Sequence, residues 1–175
     1  MKPVDLSKVY RLFYPAVPAI ISCNEGSNVY SMPVVSIISV SNDPPLIGVA
    51  SSPDHSTCRA IVKARRFSVC WVDASQARAL EFLGTTPHTV DDKLASAGLL
   101  HKKGRKLDVP LVEGAVATLE CSLDSRRRFG DHDLLVGRVH DARAIEDFKE
   151  YWVFERYEPV LYAGMRGGSF MTYQP

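Results

Sequence analysis

A chain of 175 residues is long enough for one domain with its own core, without disulfide or metal staples. Its 46% hydrophobic and 23% charged residues exclude a disordered chain, and 21 Lys plus Arg against 20 Asp plus Glu leave a net charge of +1, without the basic excess that a nucleic-acid module usually shows, so no nucleic-acid partner is expected. The N-terminal stretch MKPVDLSKVYRLFYP lacks a signal-peptide core, and no later stretch has bilayer-spanning length, so a single cytoplasmic domain over residues 1–175 with no membrane partner is expected. Cys23, Cys58, Cys70 and Cys121 are far apart, with no C-x-x-C pair, and read as buried free thiols.

Residues 17–23 and 28–41 are rich in Val, Ile and Ser and flank the turn-forming run Asn24-Glu25-Gly26-Ser27, which predicts a hairpin. Asn42-Asp43-Pro44-Pro45 breaks the pattern, and residues 46–50 follow as a third strand. After the loop 51–54, residues 55–65 carry polar residues at the front and basic residues at the back, the charge order a helix dipole favours. A strand over 67–72 and a helix over 75–83 behind a serine cap come next. The polar stretch 85–110 holds one short helix around 91–97. Strands return at 115–122 and 134–140, joined by a connection that contains Arg126-Arg127-Arg128-Phe129-Gly130-Asp131-His132. A closing strand and a surface segment occupy 160–173, around Gly164, Gly167 and Gly168.

Several short strands with only two or three helices point to a small antiparallel barrel rather than a doubly wound parallel sheet. No G-x-G-x-x-G follows a strand, and the chain has no G-x-S-x-G elbow and no H-E-x-x-H helix.

Four segments in order carry a resemblance: YSMPVVSIISVSNDPPLIGV (30–49), SSPDHST (51–57), the pair Asp92-Lys93, and GDHDLLVGRV (130–139). Together they resemble the flavin reductase-like, FMN-binding split-barrel family, including ferric reductases and flavoredoxin-like members, over roughly residues 14–143. The resemblance implies a mainly β fold with a few helices, an antiparallel, Greek-key-like split barrel. It also implies FMN as cofactor, with FAD as the alternative, and NADH or NADPH as donor.

The same resemblance places the flavin ring against Met32, Pro33, Val34, Val35 and Ser36, and the phosphate at Ser51, Ser52, Asp54, His55, Ser56, Thr57 and Lys93. A loop entering a helix suits a phosphate because the first N–H groups are unpaired and the dipole favours an anion. Simple capping by Asp54 or Ser56 explains the same residues, and an ordinary barrel strand explains Met32 to Ser36. Lys93 is expected as a mobile charge, and its alternative is a solvated side chain.

His132 is the catalytic candidate, placed by the resemblance where nicotinamide or acceptor stacks; a turn histidine is the alternative. Arg126 to Arg128 read either as contacts to dinucleotide phosphates or as a solvated run, and Tyr162 and Arg166 as further pocket residues. A homodimer with the pocket at its two-fold interface is implied.

Three functions stay open. The first is an NAD(P)H-dependent flavin or ferric-complex reductase passing electrons to free flavin or a ferric chelate. The second is a flavoredoxin-like carrier served by a redox partner protein. The third is a barrel without flavin, to which Pro33 and Val35 point, since the family often has small residues there.

Overall fold

The computed structural model of the chain describes residues 1–87, 90–166 and 169–173. The predicted hairpin is β1 (Ala19–Glu25) and β2 (Asn28–Val34), closed between Glu25 and Asn28 by Gly26, whose φ of +63° is one that glycine adopts without cost, and Ser27.

The run 28–41 is not one strand. It divides after Val34, and β3 (Ile37–Ser41) pairs instead with β4 (Leu46–Ser51) across the turn that holds Pro44 and Pro45. This break shapes the whole molecule. With β5 (Arg66–Trp71), β8 (Ala117–Phe129) and β9 (His132–Ala144), the strands form one seven-stranded sheet in the order β2-β1-β5-β8-β9-β4-β3, every neighbouring pair antiparallel. The two edge strands are therefore consecutive in the chain. Flat, seven strands would hold their edges roughly 29 Å apart, whereas the chain from residue 34 to residue 37 reaches at most about 11 Å. The sheet must curl until its edges nearly meet, and because β2 and β3 do not pair, the barrel is split there. Pro33 fits this position, since an edge strand needs no N–H from every residue.

The helices differ from expectation mainly at their starts. The first, α1 (Ser56–Ala64), begins one residue later than read. Asp73, not Ser75, starts the next: its carboxylate accepts from the Ser75 N–H, a 3-10 turn spans Ala74–Gln76, and α2 (Ala77–Thr85) follows. The short α3 (Lys93–Ser96) stands where predicted, capped by Asp92 at 2.9 Å to the Ala95 N–H.

Three elements were not legible. A 3-10 helix, Leu6–Phe13, buries none of its residues; a small hairpin joins β6 (His101–Lys103) to β7 (Pro110–Val112); and β8 and β9 run far beyond their predicted ends. Their connection is only Gly130-Asp131, so Arg126 to Phe129 lie in the strand. The tail forms the hairpin β10 (Leu161–Arg166) and β11 (Ser169–Tyr173), while the predicted Gly167 and Gly168 lie outside the described residues.

Alternation along β1 and β5 sends successive residues to opposite faces, and both faces are buried. Ile21, Val69, Phe67, Cys121, Leu123 and Leu135 fill the barrel interior with Cys58 and Ile61 of α1. Ile20, Cys70 and Val72 pack outside against Leu80 and Leu83 of α2 and Leu94 of α3. All four cysteines are buried free thiols, as read. Among the described residues no helix is long and apolar enough to cross a membrane.

Candidate functional site

Where β2 ends, α1 begins and α2 stops, a cleft of about 510 Å³ opens, lined by Met32, Pro33, Asp54 to Thr57, Arg59, the segment 83–87 and Lys93. Each wall has a sequence cause. The anchoring face of α1 is apolar, so Cys58 and Ile61 drop into the barrel core and its polar start is left at the rim.

His55 occupies the N-cap, and among the described residues no side chain caps this helix, so capping by Asp54 or Ser56 is excluded. Asp54 instead receives, on its backbone oxygen, a bond of 2.6 Å from the Arg59 guanidinium, while its own N–H donates to the Ser52 hydroxyl at 3.2 Å. The buried Ser51 hydroxyl lies 3.3 Å from His55 Nδ1 and 3.2 Å from the Ser52 carbonyl, so it braces the loop from beneath. The helix thus presents first-turn N–H groups free of side-chain caps to a cleft with hydroxyls from Ser56, Thr57, Thr85 and Thr86.

Lys93 is neither mobile nor solvated. Only 5% exposed, its Nζ donates to the Leu83 carbonyl at 2.8 Å, and burial pushes its pKa below the usual lysine value. The cause lies in the sequence. Helical bonding would pair the Leu83 carbonyl with the N–H four residues on, and that residue is Pro87, which has none. A lysine fills the gap at the negative end of α2, where a cation is favoured. An ammonium has three donors, and among the described residues only one meets a protein acceptor.

A second, smaller hollow of about 170 Å³ adjoins the first. Pro33 and Gly84 line both, and Val34, Val35, Tyr14, Pro18, Tyr162 and Met165 complete the smaller one. Tyr162 therefore stands where read, and Arg166 lines neither hollow. Ser36 is exposed and lines neither hollow as well; its carbonyl accepts from the Ala50 N–H at 2.9 Å, tying the strand break to β4.

The arginine run is exposed, but two of its three members are engaged within the protein. Arg126 and Arg128, two apart on β8 and so on one face, grip the buried carboxylate of Asp133 at 2.6 to 2.7 Å. Burial works to raise the Asp133 pKa, but the bonds from Arg128 and Arg126 outweigh it and hold the group below the ordinary carboxylate value. Arg127 lies over the Phe129 ring at 5.0 Å. This clamp fixes the hairpin tip beside Ser51, the cross-strand partner of Asp133.

His132 stands at that tip, about half exposed, its Nδ1 2.8 Å from the Asp131 carboxylate, as a turn histidine would be. It lines neither hollow, yet its charge reaches His55. The His55 pKa is held below the usual histidine value first by desolvation, then by His132.

Sequence reasoning missed Tyr14, Arg59 and the wall 83–87. Gly84-Thr85-Thr86-Pro87 is a helix-stop signal with two hydroxyls, and it could have flagged that wall.

Residues 10–166 match the flavin reductase like domain. The chain is similar to the crystal structure of an FMN-binding protein from Thermus thermophilus with bound p-hydroxybenzaldehyde, at a TM-score of 0.80 and 31% identity, covering 99% of this chain and 93% of that one. A flavin reductase (NADPH) of Lentzea aerocolonigenes is 30% identical over 168 residues, 96% of this chain and 89% of that protein. A protein of Aeropyrum pernix is 27% identical over 166 residues, 94% of this chain but only 63% of its own length, so the chain spans less than two thirds of that relative. With a seven-stranded split barrel and a match over residues 10–166, the chain belongs to the flavin reductase-like family.

Proposed function

We propose that the chain is an FMN-binding oxidoreductase, an NAD(P)H-dependent flavin or ferric-complex reductase. One observation carries this reading: the uncapped start of α1 and the buried Lys93 ammonium converge on one cleft, and that cleft joins an apolar hollow through Pro33 and Gly84.

The donor set fits the cofactor. Unpaired helix N–H groups, the hydroxyls of Ser56, Thr57 and Thr86, Arg59 and a lysine with spare donors suit a phosphate dianion, and Met32, Pro33, Val34 and Val35 with Tyr14 and Tyr162 suit a planar ring. Pro33 has no N–H to offer the ring, so any backbone donor to it comes from neighbouring residues. Bound there, FMN would supply the redox chemistry, as a hydride acceptor for a nicotinamide, and the protein would need no acid–base pair of its own.

The chain's own part is to hold and orient. Lys93, Ser56 and Thr57 fix the phosphate, the β2 end carries the ring, and the Asp133 clamp keeps His132 at the rim beside Ser51, on the side from which donor or acceptor arrives.

The purified protein is expected to be yellow or to become so with FMN, and to bleach without oxygen on adding NADH or NADPH. A coloured protein that neither nucleotide bleaches points instead to an electron carrier reduced by a partner protein. A colourless protein that ignores FMN overturns the assignment.

A homodimer belongs to the same proposal. Leu6, Leu12 and Phe13 of the uncovered 3-10 helix, and Ile38 and Val40 on the edge strand β3, leave apolar side chains exposed that a second copy would cover. Sedimentation at micromolar concentration should give twice the chain mass, and a monomer there rules the dimer out.

A further inference from the structure

We infer that His55 takes up a proton when a phosphate monoester enters the cleft, and that it thereby selects the dianionic ester over flavins lacking one. This rests on the proposed flavin reading and adds a charge-matching residue to it.

The geometry comes first. His55 sits at the N-cap of α1, lines the cleft, and has Nδ1 within reach of the Ser51 hydroxyl. Its Nδ1 can therefore be oriented by protein while the ring stays beside the helix start, where an anion is most favoured.

The charges around it come next. Arg59 from α1, Lys93 from α3 and His132 from β9 all press against a positive imidazole, and among the described residues Asp54 on the same loop supports it. Together with desolvation, these three groups hold the His55 pKa below the ordinary histidine value in the ligand-free protein. A dianion among the same groups reverses the balance, because it offsets the charges of Arg59 and Lys93 and offers the imidazolium a partner of its own. The ring then holds a proton it previously shed.

The sign follows from linkage. Between the pKa of His55 in the free protein, below the ordinary histidine value, and its raised value in the complex, FMN affinity falls as pH rises, by up to tenfold per pH unit. The ligand's own titration has the opposite sign. Its phosphate has a second pKa near about 6, so selecting the dianion releases protons rather than taking them up.

The experiment is a calorimetric titration of FMN, and separately of riboflavin, into the whole protein at pH 6.5, 7 and 7.5. Each is repeated in buffers of different ionisation enthalpy, none of them phosphate. Expected is net uptake of up to one proton with FMN, no exchange with riboflavin, and release rather than uptake with FMN in the H55Q variant, which still binds more weakly. The H132Q variant should keep an uptake, smaller than in the parent protein because one of the groups that lower the His55 pKa in the free protein is gone. A histidine-detected NMR titration gives a second readout, with the His55 pKa higher in the FMN-loaded than in the free protein. FMN binding without uptake, or uptake that persists in H55Q, overturns this inference and leaves the flavin site standing. No FMN binding at all overturns both.

Discussion

Replacing Lys93 with methionine is expected to weaken FMN binding 10- to 100-fold, while riboflavin binding changes by no more than about twofold. The range is that of one charge-assisted hydrogen bond, about 1.5–3 kcal/mol. Methionine keeps the length and the apolar stem of the buried side chain, so what disappears is the charge and its donors. Folding should suffer less. The Leu83 carbonyl loses its partner, which costs about 1–3 kcal/mol, but the penalty of holding a buried ammonium, visible in its lowered pKa, vanishes as well. A small change in melting temperature beside a large, phosphate-specific loss of affinity therefore separates a ligand role from a structural one. Fluorescence titration of both flavins measures it. Equal losses for FMN and riboflavin would mean that Lys93 acts only by holding α2, and unchanged FMN affinity would remove it from the site.

What the sequence shows and what it hides divides along the range of the interactions. The strand β1, the turn and start of β2, the β4 strand and the helix after Pro53 are set by local pattern and turn chemistry, and all stand within two residues of their predicted positions. The break after Val34 is invisible locally, because Val35 and Ser36 look like any strand residues. Only the need to join the two edges of a curled sheet divides the run. Arg126 to Phe129 look like a charged loop for a similar reason: Asp133, the group that makes two arginines tolerable in a strand, lies across the hairpin.

The site follows the same rule. The loop 51–57 is legible as an anion-friendly helix start, whereas the burial of Lys93 is not, since lysines in polar stretches are ordinarily solvated. Its cue was nonetheless present. A proline four residues beyond a helical leucine leaves an orphan carbonyl that something must satisfy, and a nearby lysine is a ready donor.

The second large effect concerns the barrel interior, where Gly137→Ala is expected to cost about 3 kcal/mol of stability and to lower the melting temperature by roughly 6–12 °C. Gly137 lies in β9 between Ile47 of β4 and Leu123 of β8, at the centre of the sheet. A Cβ added there would meet Phe67 Cζ at 2.5 Å and Cys121 Cβ at 3.2 Å. Both neighbours are fully buried, and a phenyl ring in a packed core cannot slide aside as the end of a long flexible chain could. The space a side chain at 137 would claim is already filled by a residue two strands away. Shortening that residue should return part of the loss. In Phe67→Leu the cavity alone destabilises, yet in the double variant the added methyl occupies room the ring has vacated, so the two changes should couple favourably by about 1 kcal/mol or more. Denaturant melts of the single and double variants measure the coupling. Strictly additive losses would mean that the clash is relieved by the backbone of β9 rather than resisted by the Phe67 ring.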